Sequence, residues 1–106
     1  MADLGDLMAR AQEAQAKLQE LQRELATRRI EGTAGGGMVK VEVSGALRVL
    51  SVEIEPSLVA GGDREMLQDL TAAAVNAALT NAQRLVQEEM QKASMGLSIP
   101  GLGGAG

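Results

Sequence analysis

Gly32 and Gly37, in the run GTAGGG, stand at the GxxxxG spacing of a loop that cradles phosphate. That chemistry needs a Lys and a Ser or Thr directly afterwards, the Lys for the outer phosphates and the hydroxyl for Mg²⁺. It also needs a helix to open there, because the first amides of the helix supply the anion site. Met38 and Val39 follow instead, and Val39, Val41 and Val43 alternate with Lys40, Glu42 and Ser44. A period of two is the pattern of a strand. The run is read as an inter-strand turn.

Two other sets invite a chemical reading. Glu53 and Glu55 are two residues apart and share a strand face, where paired carboxylates can hold a proton or a metal. No third ligand accompanies them, so they read as a solvated sheet face or a cross-dimer salt bridge. Met38, Met66, Met90 and Met95 are spread over turn, helix and tail. They read as gap-fillers in a core rather than as a soft-metal set. No catalytic constellation, metal site or cofactor motif emerges, and no small-molecule substrate is implied.

The absences narrow the field further. The 106 residues contain no His, Cys, Phe, Tyr or Trp. Without His there is no ordinary general base near neutral pH and the commonest metal ligand is missing. Without Cys there is no thiol nucleophile and no disulfide, which suits a reducing compartment. No apolar run is long enough to span a membrane. The opening MADLGDLMAR has two acids and no basic segment ahead of its apolar residues, unlike a secretory signal. An intracellular protein is expected.

A core without aromatics buries little area per residue, and small single cores are marginal. A second chain would supply the missing burial, so a two-fold homodimer is expected. The net charge is −4, with residues 1–29 neutral and residues 30–62 and 63–106 at −2 each. On charge alone, nucleic acid is a poor candidate partner.

These residues are positioned by five expected elements. Leu4, Leu7, Ala11, Ala14, Leu18, Leu21 and Leu25 follow an alternating 3-4 spacing, a coiled-coil seam over residues 4–27. Asp3 is placed to cap this helix, and Glu13–Lys17 and Glu24–Arg28 stand in the favourable acid-first i,i+4 order. At ~1.5 Å per residue the helix is roughly 36 Å long. That is more than a three-stranded sheet can cover, so part of it should project. Strands are expected at 27–33, 38–44 and 48–56, joined by the short connections AGGG and GA that favour antiparallel hairpins. In the third, Leu50, Val52 and Ile54 are assigned to one face and Val49, Ser51, Glu53 and Glu55 to the other, with Pro56 ending it. A second long helix is expected over 63–94, capped by Asp63, with the small-residue stretch 67–82 packed on the sheet and on a partner chain. The remainder is Gly-rich, with five glycines in residues 96–106. The domain organisation is therefore a single dimerising domain over 1–95 and a disordered tail over 96–106. The fold class is α+β, in the order α-β-β-β-α.

Three stretches in this order resemble the YbaB/EbfC family of small bacterial nucleoid-associated proteins. They are LMARAQEAQAKLQELQREL, EGTAGGGMVKVEVSGALRVLSVEIEPSLV and DREMLQDLTAAAVNAAL, and together they span nearly all of residues 4–95. The middle stretch is the most specific, joining the Gly-rich turn, the valine strand and Ile54-Glu55-Pro56-Ser57-Leu58. The resemblance implies a homodimer whose sheets associate and whose long helices protrude like tweezers. It also implies a cytoplasmic, nucleoid-associated protein that binds double-stranded DNA with little sequence preference, shapes the nucleoid and affects gene expression, without enzymatic activity.

If protruding arms grip DNA, the cations to expect at phosphates are Arg10, Lys17 and Arg23 on the first helix and Arg84 and Lys92 on the second. Arg10 and Lys17 are seven apart and share a helix edge, while Gln12, Gln15, Gln87 and Gln91 add hydrogen-bonding groups. The competing reading of these cations is a solvated surface with local ion pairs, Glu13–Lys17 and Glu20–Arg23 among them. Arg28 and Arg29, at a helix C-terminus, suit the helix dipole and read first as structural, with DNA contact as the alternative. The alternative function is a protein–protein adaptor that docks a partner helix on the leucine seam.

Overall fold

The chain runs α1 (Leu4–Thr27), β1 (Arg29–Ala34), β2 (Val39–Ser44), β3 (Val49–Ile54), α2 (Pro56–Ala60) and α3 (Arg64–Gly96), in a computed structural model that describes residues 3–96. Both long helices begin at an aspartate. Asp3 accepts from the Asp6 amide at 2.7 Å, and Asp63 accepts from the Met66 amide at 3.0 Å. Each carboxylate satisfies an amide that the first helical turn leaves without a partner. α1 stops where Arg28 turns extended, at φ −63 and ψ 140. The same turn carries the Arg28 side chain off the helical row, and Glu24–Arg28 does not pair. Glu20–Arg23 also stays apart, whereas Glu13–Lys17 forms at 3.7 Å.

The sheet is antiparallel in the order β1-β2-β3, so β2 is central. Its valines Val39, Val41 and Val43 are fully buried, and with Leu58, Ala74, Ala78 and Ala82 they form the core. The three alanines recur every four residues and make a smooth stripe down α3. Gly32 on β1 faces it so closely that a Cβ there would overlap the backbone nitrogen of Ala78. Small residues on both sides thus let the helix backbone settle on the strand. Asn81 fastens the same contact, its Nδ2 donating to the Glu31 carbonyl at 2.9 Å.

The β1–β2 connection passes through Gly35, Gly36 and Gly37, with φ of 64, 68 and 97. All three lie in the left-handed region, which glycine enters without steric cost. GTAGGG is a strand end and a turn. The four-glycine run therefore divides its labour, with Gly32 for close approach and the others for reversal.

Several expectations are corrected. A bulge between Glu42 and Val43 leaves Leu50 as the extra residue, so Val49 pairs with Val43 while Val52 and Ile54 pair with Val41 and Val39. Val49 therefore joins the valine register rather than the polar face. Pro56 does follow the end of β3, but it also opens the short helix α2, where proline at the first position needs no amide partner. α2 is additional to the five expected elements, and its Leu58 enters the core. Among the methionines, Met38 packs against the core, but Met66 and Met95 are exposed, because the first turn of α3 and its far end lie beyond the sheet. Of the Gly-rich tail expected over 96–106, Gly96 closes α3 and the rest lies outside the described residues.

Candidate nucleic-acid interface

The arms are set by how α1 and α3 meet the sheet. Gly35 lies against Leu70, Gly32 against Ala77 and Ala78, and Glu31 against Asn81, so α3 runs antiparallel to β1. Residues of α3 beyond Ala82 extend past the end of the sheet where β1 begins. α1 arrives at that same end. The Leu25 carbonyl sits where a Cβ on Gly45 would be, and the Gly45 amide donates to the Arg28 carbonyl at 3.2 Å. α1 then leaves the sheet. The longest dimension, 72 Å, exceeds the roughly 50 Å of a 33-residue helix.

Along α1 the seam fades outward. Leu25 is buried, Leu21, Leu18 and Ala14 are half-buried, and Leu7 and Leu4 are 52 % and 72 % exposed. The inner part has the neighbouring arm of α3 for cover, where Leu85, Val86, Met90 and Ala93 are also half-buried. The outer turns have no cover among the described residues.

Arg10, Lys17 and Arg23 are exposed on α1, and Arg84 and Lys92 are exposed on α3. Lys17 pairs with Glu13 and Lys92 with Glu89, each at 3.7 Å. Such exposed pairs are weak, typically about 0–1 kcal/mol, and yield readily to a phosphate. Arg10, Arg23 and Arg84 have no ion pair among the described residues, so their guanidiniums stand available in water. The chain does not gather all five cations at one point. Arg23 and Arg84 lie toward the arm base, while Arg10, Lys17 and Lys92 are strung outward.

The two carboxylates line one shallow depression together with Lys40. Glu53 sits opposite Lys40 within β3, whereas Glu55 lies past the strand as the residue before α2. Among the described residues no group of three or more carboxylates is placed to hold a metal ion. No helix among them is long and apolar enough to cross a membrane.

Sequence reasoning missed Arg48 as a candidate. It stands only two residues beyond the Gly45–Ala46 turn, but its proximity to Arg28 depends on backbone pairing between distant segments. It also passed over the uncovered side of β3. Val49, Leu50 and Val52 are 42–48 % exposed, because α3 covers β1 and β2 and stops short of the third strand. Leu47 beside them is exposed and adopts φ 63, an uncommon conformation for a bulky residue.

The chain is thus a small α+β protein with two long helical arms, exposed cations and an uncovered apolar strand. The model of the YbaB/EbfC DNA-binding family matches residues 1–97, and the chain belongs to that family. It is 47 % identical over 100 residues to a nucleoid-associated protein of Chlorobium phaeovibrioides, covering 94 % of this chain and 90 % of the relative. It is 43 % identical over 103 residues to a nucleoid-associated protein of Afipia carboxidovorans, covering 97 % and 98 %. A crystal structure of an uncharacterized protein from Helicobacter pylori shares the fold, with a TM-score of 0.64 at 21 % identity, covering 92 % of this chain and 98 % of that one.

Proposed function

We propose that this protein is a non-enzymatic, nucleoid-associated DNA-binding protein of the cytoplasm, active as a homodimer. The observation that carries the reading is the family match across residues 1–97. The names of the relatives, which describe nucleoid-associated proteins at comparable length, support a role on the nucleoid. Exposed arginine and lysine side chains supply the phosphate contacts, which position a protein on the duplex but carry no sequence information. Binding is accordingly expected to show little base preference, and to influence nucleoid organisation and gene expression through DNA conformation.

The second copy is supported by β3. Its outer edge has no strand partner among the described residues, and its apolar side chains face outward. Such an edge is a template for pairing unless it is covered. Docking of two such sheets gives a particle with a pair of arms from each copy, able to hold one duplex at two places or to bridge two. The adaptor reading has the exposed Leu4 and Leu7 in its favour, but the names of the relatives speak only for the nucleoid.

The test is a titration of a mixed-sequence duplex with the full chain, repeated from low to physiological salt. With four to six phosphate contacts per dimer, log K should fall against log salt with a slope of about −4 to −5. A slope near zero, or no binding at low salt, would contradict the proposal.

A further inference from the structure

We infer that the main DNA-phosphate surface is an arginine collar at the base of the arms, formed by Arg23, Arg28, Arg29, Arg48 and Arg84, rather than the arms themselves. The inference rests on the proposed DNA-binding role and names the site that performs it.

Backbone pairing and helix packing build the collar from three separate segments. Arg29 is the register partner of Ser44. The Ser44 amide donates to the Arg48 carbonyl at 2.8 Å, and the next amide, that of Gly45, donates to the Arg28 carbonyl at 3.2 Å. Arg28, Arg29 and Arg48 are thereby brought to one end of the sheet. Arg84 follows one helical turn after Asn81, whose side chain is bound to Glu31, two residues from Arg29. Arg23 lies just before Leu25, whose carbonyl abuts Gly45. All five arginines are exposed.

The charge map then separates by region. The collar segments 23–29, 42–48 and 81–84 hold five arginines against Glu24 and Glu42, a net of +3. The outer part of α1, residues 3–22, has Arg10 and Lys17 against four acids, a net of −2, and residues 85–96 of α3 have Lys92 against two, a net of −1. The remaining sheet and helix segments, 30–41 and 49–80, carry −4. A chain of net −4 thus concentrates its positive potential in one zone. The outer arms, by contrast, carry net negative charge and repel a polyanion on balance.

The chemistry of the collar suits phosphate. Arginine presents a planar fork of donors to phosphate oxygens and is weakly hydrated compared with lysine. Every cation in the collar is an arginine. Within it, Arg29 is held by Glu42, with Nε at 2.9 Å and a terminal guanidinium nitrogen at 2.8 Å from the same carboxylate oxygen. That pair fixes one guanidinium and neutralises the nearest acid of the strand. Arg28 and Arg48 have no ion pair among the described residues. They flank the turn at Ala46 and Leu47, which the Gly45 amide ties to the Arg28 carbonyl.

The experiment compares two double variants of the full chain, Arg28→Ala/Arg48→Ala and Arg10→Ala/Lys17→Ala, in duplex titrations across the same salt range. Circular dichroism and thermal melting accompany both, with Arg28→Lys/Arg48→Lys as the conservative control. The collar substitutions are expected to lower affinity at least about tenfold at low salt and to reduce the salt slope by about one for each lost contact. The arm substitutions should change affinity less than about threefold, and the lysine control should retain most of the binding and slope. Wild-type binding with a steep slope, unchanged by the collar substitutions, would overturn the collar and leave the DNA-binding role standing. An arm defect larger than the collar defect would do the same. No duplex binding by the wild type would overturn both, as would collar-dependent binding to a polyglutamate peptide in its place. If the alanine variant loses helix content, the lysine control decides: a folded lysine variant with lost binding and lost slope contradicts a phosphate surface.

Discussion

α3 and α1 are both long, both start at an aspartate cap, and yet meet opposite fates. α3 lays Ala74, Ala78 and Ala82 on the sheet, where nothing of them remains exposed. α1 buries only Leu25 and leaves Leu4 and Leu7 in water. The sheet repeats the contrast, with the valines of β2 fully buried and those of β3 nearly half exposed. One half of the molecule is completed within the chain and the other half is not. Residues of the same apolar character therefore serve two purposes. Those against Gly32 and the alanine stripe stabilise the fold, and those on β3 are, in the proposed homodimer, the surface that the second copy covers.

Five substitutions probe this division, beginning with the most damaging. Gly32→Val should destabilise the fold by at least about 3 kcal/mol, because the new Cβ meets the Ala78 backbone, which has no rotamer through which to yield. Chemical denaturation would register this as a large drop in midpoint or as failure to fold. Val41→Ala removes two buried methyl groups from the centre of β2 and should cost about 2 kcal/mol, including the cavity it leaves. Asp63→Ala should cost about 1 kcal/mol through the lost cap, whereas Asp3→Ala should cost about a few tenths, since its turn is exposed among the described residues. Their melting temperatures measured side by side would show whether the two caps differ as the two helices do. Lys17→Ala breaks only an exposed pair and should leave stability within about 0.5 kcal/mol. A loss comparable to Val41→Ala at either Asp3 or Lys17 would mean that the outer arm is packed within the chain after all.

Much of this architecture is legible in the amino-acid sequence. Period-two valines, the 3-4 leucine spacing and two aspartates ahead of apolar runs lead to β2, α1 and both long-helix starts. The resemblance of the middle stretch leads to the family. What stays hidden depends on contacts between distant segments. The bulge at Leu50 is invisible in an alternating pattern, which assigns Val49 to the wrong face by one residue. α2 escapes notice because Pro56 signals the end of a strand and the start of a helix with the same letter. The outer cations are visible as letters on a helix, but the grouping of Arg28 with Arg48 exists only once Gly45 has hydrogen-bonded to Arg28. Net charge misleads for a related reason. A chain at −4 averages over a positive zone that only folding assembles.

In the proposed homodimer the uncovered half is completed by a second copy through β3. Sedimentation velocity of the full chain over a dilution series, run beside Val52→Glu, tests it most directly. The account predicts a stable dimer for the wild type, and for the variant a monomer with unchanged helix content. A wild type that sediments as a monomer at every concentration, or a Val52→Glu variant that remains dimeric, would contradict it.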